Sequence, residues 1–457
     1  MNLISRASTA SFFGRASTLV AILLASALVV GGCGKKNSAK PAAKADKAAG
    51  KTGDKANDKG KKPGAKKAAA HKADKKPAKP QAVLIWHSYR DAERAALDKL
   101  ISAWNAKHPE IKLTALAIPF DALVDKMQVA IPRGNGPDLI IFAHDKIGTW
   151  ARDGLIQPLG KWAGKDRLSR FLPQTITPLV FERAIYGLPL AFKSLVLFYN
   201  TKMVTKAPAT MGELIAEAKK HVSKEDGKFG LAYDAANTYF HAGFLHAYGG
   251  RLFDEKSREL KLDSKASIKA AEAVRSLHTD AKILPKGLSS FVVTAMFNDG
   301  NVPFVFNGPW FISEIDKSVK WSVAMMPTAP NGQPLRPYLG SEAVFLSAKA
   351  KARDAALVVL DYLTSDEAAL LRMKQGKQMV ANAKIYENPT WSNDPVIKTF
   401  RGQADMAVPM SNAVEAGLAW QPYNNALRKV IFGGKPAAES FKAAQSEADA
   451  SLAKLKR

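Results

Sequence analysis

A single cysteine, Cys33, stands in 457 residues, so no intramolecular disulfide can form and core burial must hold the fold together. Acidic residues are the minority charge, 41 against 67 Lys and Arg, for a formal net charge of +26. Such an excess first suggests nucleic acid, but its distribution excludes that reading. Residues 34 to 81 hold 16 Lys and 4 Asp, a local net of +12, and Arg6 and Arg15 add two more, which leaves +12 on residues 82 to 457. That body lacks the clustered Arg and aromatic pattern of a nucleic-acid face, and no nucleic-acid partner is expected.

Residues 34 to 81 also lack Phe, Tyr, Trp and every branched aliphatic residue, so they cannot bury enough apolar surface to offset the entropy of ordering. A disordered, Lys- and Ala-rich tether is expected there, about 40 Å in root-mean-square span before charge repulsion extends it. Inside it, Gly50-Lys51-Thr52 mimics the end of a phosphate loop, but Ala45 occupies the first Gly position and no strand precedes it. Catalytic signatures are equally scarce. There is no His-Glu-x-x-His metal motif and no Gly-x-Ser-x-Gly elbow, and Ser451-Leu452-Ala453-Lys454 fits Ser-x-x-Lys only formally, on an end helix. No catalytic residue, metal ligand or cofactor is expected.

What is there begins with residues 1 to 33. Arg6 and Arg15 precede an apolar run, Leu19 to Val30, too short to span a bilayer as a mature helix, and Val30-Gly31-Gly32 sets small residues before Cys33. This resembles a bacterial lipoprotein signal peptide, whose thiol takes a lipid before cleavage makes it the new N-terminus. Cys33 is therefore the expected lipidation site, and the chain is expected on a bacterial membrane, facing the periplasm or the cell exterior.

From Ala82 the pattern alternates strand and helix. Val83 to Trp86 reads as a buried strand, Asp91 to His108 as a helix with Leu97, Leu100, Ile101 and Trp104 at helical spacing, and Ile111 to Ala117 as the next strand. Phe120 to Ile131 reads as a helix and Leu139 to Phe142 as a third strand, after the turn Gly136-Pro137-Asp138. This repetition predicts an α/β protein with a mostly parallel sheet covered by helices. A second block follows, with strands up to Lys193 and through Leu195 to Asn200, then helices at Met211 to Val222, Phe240 to His246, Ser267 to Asp280 and Asp354 to Thr364, and a largely helical end from Met410.

Four strings occur in a telling order: Gly136-Pro137-Asp138 with Ala143-His144-Asp145-Lys146, then Tyr199-Asn200-Thr201-Lys202, then Phe297-Asn298-Asp299-Gly300 with Asn307-Gly308-Pro309-Trp310, and finally Trp420 ahead of a helical segment. Together they make residues 82 to 457 resemble the maltose-binding protein family, the solute receptors of ABC importers for sugars. The resemblance implies a two-lobed periplasmic-binding-protein fold of type II, its lobes discontinuous and joined by a hinge. One lobe would combine 82–190 with 328–388 and the other 191–327 with 389–457. It also implies a monomer that takes an oligosaccharide between the lobes and delivers it to the transmembrane subunits of an ABC permease.

A sugar site needs rings that stack on pyranose C–H faces and polar groups that hydrogen-bond hydroxyls. The aromatic candidates at matching positions are Phe142, Tyr239, Phe240, Trp310 and Trp420, and the polar ones are Arg90, Asp91, Asp145, Lys146, Lys193 and Asn237. Tyr89 and, less so, Trp86, which reads as part of the first strand, are further ring candidates, and Ser341 and Glu342, after Gly340 at a return crossing, are candidates from the other side. The chain departs from the family pattern at Arg90-Asp91, where acid-then-base order is reversed, and at Lys193 and Asn237, each in place of Glu. Those changes predict a less acidic cleft and keep two alternatives open: a receptor for an anionic solute such as a uronate, and a scaffold lipoprotein that does not transport.

Overall fold

The computed structural model describes residues 80–455. The lipidation at Cys33, the signal peptide 1–33 and all but the last two residues of the expected tether lie outside them. At the tether's end the reading is corrected, because Gln81 already pairs with Ile111 and opens the first strand.

Strand β1 (Gln81–His87) lies between β2 (Ile111–Ala117) and β3 (Leu139–Ala143), parallel to both. Helix α1 (Asp91–Lys107) covers this sheet with Ala96, Leu97, Leu100 and Trp104, and α2 (Phe120–Ala130) does so with Leu123 and Met127. The central strands β1 and β3 are therefore largely dry and read as apolar runs, whereas the edge strand β2 alternates in burial. Apolar clusters around Val83, Leu100 and Leu360 and around Trp86, Met127 and Trp150 fill the space on either side.

After β4 (Gly187–Lys193) the chain leaves this sheet through Ser194-Leu195 and starts a second one with β5 (Val196–Asn200). That sheet adds β6 (Leu231–Ala232), β7 (Phe304–Asn307) and β8 (Trp321–Ala324), in the order β8-β5-β7-β6. The chain then returns as β9 (Tyr338–Leu346), which runs antiparallel between β3 and β4. All nine residues of β9 are buried, including Gly340, Ser341 and Glu342. The sequence reading has no strand here, because those three residues interrupt the apolar run.

Two further elements refine the expected boundaries. Helix α3 (Pro395–Met406) packs on β8 and β5 of the second sheet. Immediately afterwards β10 (Val408–Pro409) pairs in parallel with Tyr338 and Leu339, on the edge of the first sheet. The stretch expected to lie wholly in the second lobe thus touches back on the first, since Tyr338 and Leu339 extend past the pairings of β9 with β3 and β4 and have main-chain groups to satisfy. Helices α4 (Trp420–Ile431) and α5 (Ala437–Leu455) then close over the second core, with Tyr423, Leu427 and Phe441 fully buried. A third cluster, including Phe192, Val196, Phe198, Met379 and Phe400, fills the crossing itself.

Candidate functional site

The carboxyl ends of β1, β2 and β3 release the chain on one side of the first sheet, at Tyr89-Arg90, Pro119-Phe120 and His144-Asp145. In open α/β sheets this is where ligand contacts collect. Opposite them stand segments of the second sheet. Trp310 follows β7 through Asn307-Gly308-Pro309, and a Cβ placed on Gly308 would run into the Trp310 ring, so only glycine admits this indole position.

Four rings from four chain segments form a continuous arc. The Trp310 and Tyr239 centroids lie 6.2 Å apart, Tyr239 and Tyr338 6.4 Å, and Tyr338 and Trp420 6.1 Å. A cation stands at each end: the Lys193 ammonium 5.8 Å from the Trp310 centroid, and that of Lys146 5.7 Å from Trp420. Tyr338 belongs to the arc although sequence reasoning missed it, because it opens the strand that went unread. Its hydroxyl is pushed up to about 12 by burial.

Tyr239 sits at the middle of the arc. Its Oη is buried and has no hydrogen-bond partner. Burial pushes this hydroxyl well above its ordinary range, with the Lys193 ammonium opposing and the Asp145 carboxylate adding, so both charges lie close to it. An unpaired buried hydroxyl costs free energy unless something fills the gap.

The polar candidates divide. Lys146 pairs with Asp145 at 2.9 Å, and that carboxylate raises the Lys146 pKa against the effect of burial. Just before them, fully buried His144 accepts from Ser341 N at 3.0 Å through Nδ1 and donates to Met410 O at 2.8 Å through Nε2. It ties the exit of β3 to β9 and to the approach to Trp420, which fixes Asp145 and Lys146 in place.

Lys193 corrects the expectation of a bare cation. Its Nζ lies 2.5 Å from Glu342 and 3.4 Å from Glu93. Tyr89 Oη donates to Glu342 at 2.5 Å, and Gln378 Nε2 donates to Glu93 at 3.1 Å. Burial works to lower the Lys193 pKa, but Glu342 and Glu93 outweigh it and raise the value. No carboxylate stands at position 193 itself, yet Glu93 and Glu342 bring two to its ammonium.

Two expectations give way, those for Phe142 and Asn237. Phe142 is only 2% exposed and packs on Trp150, with the exposed ring of Phe120 stacked over it at 4.5 Å, so it belongs to the core. Asn237 spends its side-chain oxygen capping the helix Thr238–Ala247, accepting from Tyr239 N at 2.9 Å. Arg90 reaches across to Glu314, at 3.0 Å, which Thr294 also holds at 2.8 Å. Asp91 is exposed at the start of α1 with a left-handed φ of 41°, and Phe240 is half-buried, edge-on to Tyr239 at 5.8 Å. Among the described residues no group of three or more His, Cys, Asp and Glu side chains could hold a metal ion.

Comparison with known proteins agrees in fold and in kind. The family model described as bacterial extracellular solute-binding protein matches residues 89–370. A maltotriose-binding protein of Pyrococcus abyssi is 27% identical over 355 residues, which cover 76% of this chain and 77% of the relative. A maltooligosaccharide ABC transporter solute-binding lipoprotein of Streptococcus pneumoniae is 26% identical over 334 residues, covering 69% and 77%. Among solved structures, a cyclo/maltodextrin-binding protein complexed with maltotetraose superposes with a TM-score of 0.70 at 27% identity, over 83% of this chain and 99% of its own.

Proposed function

The chain belongs to the bacterial extracellular solute-binding protein family, and from that premise we propose that it is the lipid-anchored receptor of an ABC importer, holding an oligosaccharide between its lobes. Its fold is the two-lobed type II fold, and the relatives are binding proteins. The activity proposed is capture and delivery to a membrane permease by a monomer, with no chemistry performed on the ligand and no cofactor. Closure of the lobes over the ligand would present a register that the permease can read. Anchoring through Cys33, on a tether running to about Pro80, completes the reading and rests on the sequence alone.

The observation that carries the proposal is the arc of Trp310, Tyr239, Tyr338 and Trp420 around an unpaired, buried tyrosine hydroxyl. Rings in such a row suit successive pyranose faces, while Tyr239 Oη, Asp145, Lys146 and Lys193 offer hydrogen bonds to hydroxyls. The lobes assigned are 82–190 with 328–388 and 191–327 with 389–457, adjusted for β10.

Tyr239→Phe separates ligand binding from packing. Removing an unpaired buried hydroxyl leaves the free protein as stable or slightly more so, while deleting a ligand hydrogen bond weakens maltotriose binding by about tenfold, or roughly 1.4 kcal/mol. Thermal unfolding and calorimetric titration of the same sample measure both. A variant that binds maltotriose as tightly as the parent would take Tyr239 Oη out of the site.

A further inference from the structure

Every cation that sequence reasoning placed at the cleft has a carboxylate beside it. Arg90 has Glu314 at 3.0 Å, Lys146 has Asp145 at 2.9 Å, and Lys193 has Glu342 at 2.5 Å with Glu93 at 3.4 Å. Arg372, buried behind Tyr89 and Glu342, brings the count to four cations against four carboxylates. Asp91, exposed at the start of α1, adds a carboxylate and no cation. The body around this cleft carries a net +12. A basic protein has thus balanced or reversed its charge at the one place where a ligand would sit.

We infer that Glu93 and Glu342, by occupying the Lys193 ammonium from below, are specificity-determining residues that make the cleft select neutral oligosaccharides and reject carboxylate- or phosphate-bearing ones. The inference rests on the cleft being the ligand site. The geometry gives its cause. The three side chains are only 20%, 11% and 9% exposed for Lys193, Glu93 and Glu342, so their charges are weakly screened by water. Two of the three Lys193 N–H donors point at carboxylates, which leaves one for a ligand hydroxyl near the faces of Tyr89 and Trp310. A neutral hydroxyl can accept a hydrogen bond from that N–H without adding charge. An incoming carboxylate would meet a cation already neutralised and two carboxylates that repel it, and like charges brought together across an interface discriminate strongly.

The test is calorimetric titration of the full chain with maltotriose and with the same trisaccharide oxidised at its terminal C6 to the uronate. The parent should bind maltotriose at least about 100-fold more tightly than the uronate. Glu342→Gln should narrow that ratio by about tenfold, and Glu93→Gln with Glu342→Gln should narrow it further by strengthening uronate binding. Should the double variant fail to fold, Glu93→Gln alone supplies a second reading, with a smaller narrowing in the same direction. Equal binding of the two ligands by the parent, or ratios unmoved in folded variants, would overturn the inference while leaving the oligosaccharide receptor intact. If the folded parent binds neither ligand, both fall together.

Discussion

Trp310→Ala should weaken maltotriose binding at least 30-fold, about 2 kcal/mol or more, while the protein stays folded. The indole begins the ring arc, lies within 6.2 Å of Tyr239 and faces the Lys193 ammonium, so its removal strips one stacking surface and opens the floor to water. It is only partly buried and packs at the margin of two apolar clusters, so the fold loses far less than the site. Trp310→Phe, which keeps a ring but shortens it, should recover part of the affinity. Unfolding curves measured alongside the titration keep the two effects apart. A Trp310→Ala protein that titrates like the parent would remove the indole from the site and, with it, the reading of the arc as a sugar platform.

Lys193→Met should have the largest effect on stability, about 2 to 3 kcal/mol in denaturant unfolding at neutral pH. It leaves Glu342 and Glu93, 9% and 11% exposed, without their shared cation. Burial already raises the Glu93 pKa in the parent, with Lys193 the main force holding it down. Without that force the Glu93 carboxyl titrates still higher when folded than when unfolded, so the folded state takes up a proton and the deficit shrinks as pH falls into the acid range. A loss that stays constant with pH would mean that the methylene stem of Lys193, not its charge, is what the fold needs.

The alternation of strands and amphipathic helices made the first sheet legible, because β1, β2 and β3 are each continuous in sequence, β1 and β3 as largely buried apolar runs and β2 as an alternating edge strand. Trp310, Tyr239, Trp420, Asp145, Lys146 and Lys193 could be named because each sits in or beside a string that resembles the family's pattern. Tyr338 and Glu342 were harder, since both lie on β9, where Gly340, Ser341 and Glu342 break the apolar run that would have announced a strand. Phe142 misled for the opposite reason. It follows the apolar run of β3 just before the polar exit, and only the packing of Phe120 over it decides that the ring is core. The charge balance was invisible because partners such as Arg90 and Glu314, or Lys193 and Glu342, are separated by a hundred or more residues and meet only in the folded chain, the second pair across neighbouring strands β4 and β9 of the first sheet.

Calorimetric titration of the full chain with maltotriose, maltotetraose and neutral oligosaccharides of other linkages tests the central claim most directly. Saturable binding of one oligosaccharide per chain to at least one class, lost in Trp310→Ala, is the result expected of an importer's receptor with its site on the ring arc. Silence across that panel, from protein with an intact cooperative unfolding transition, would contradict it and assign the cleft to a solute that is not a sugar.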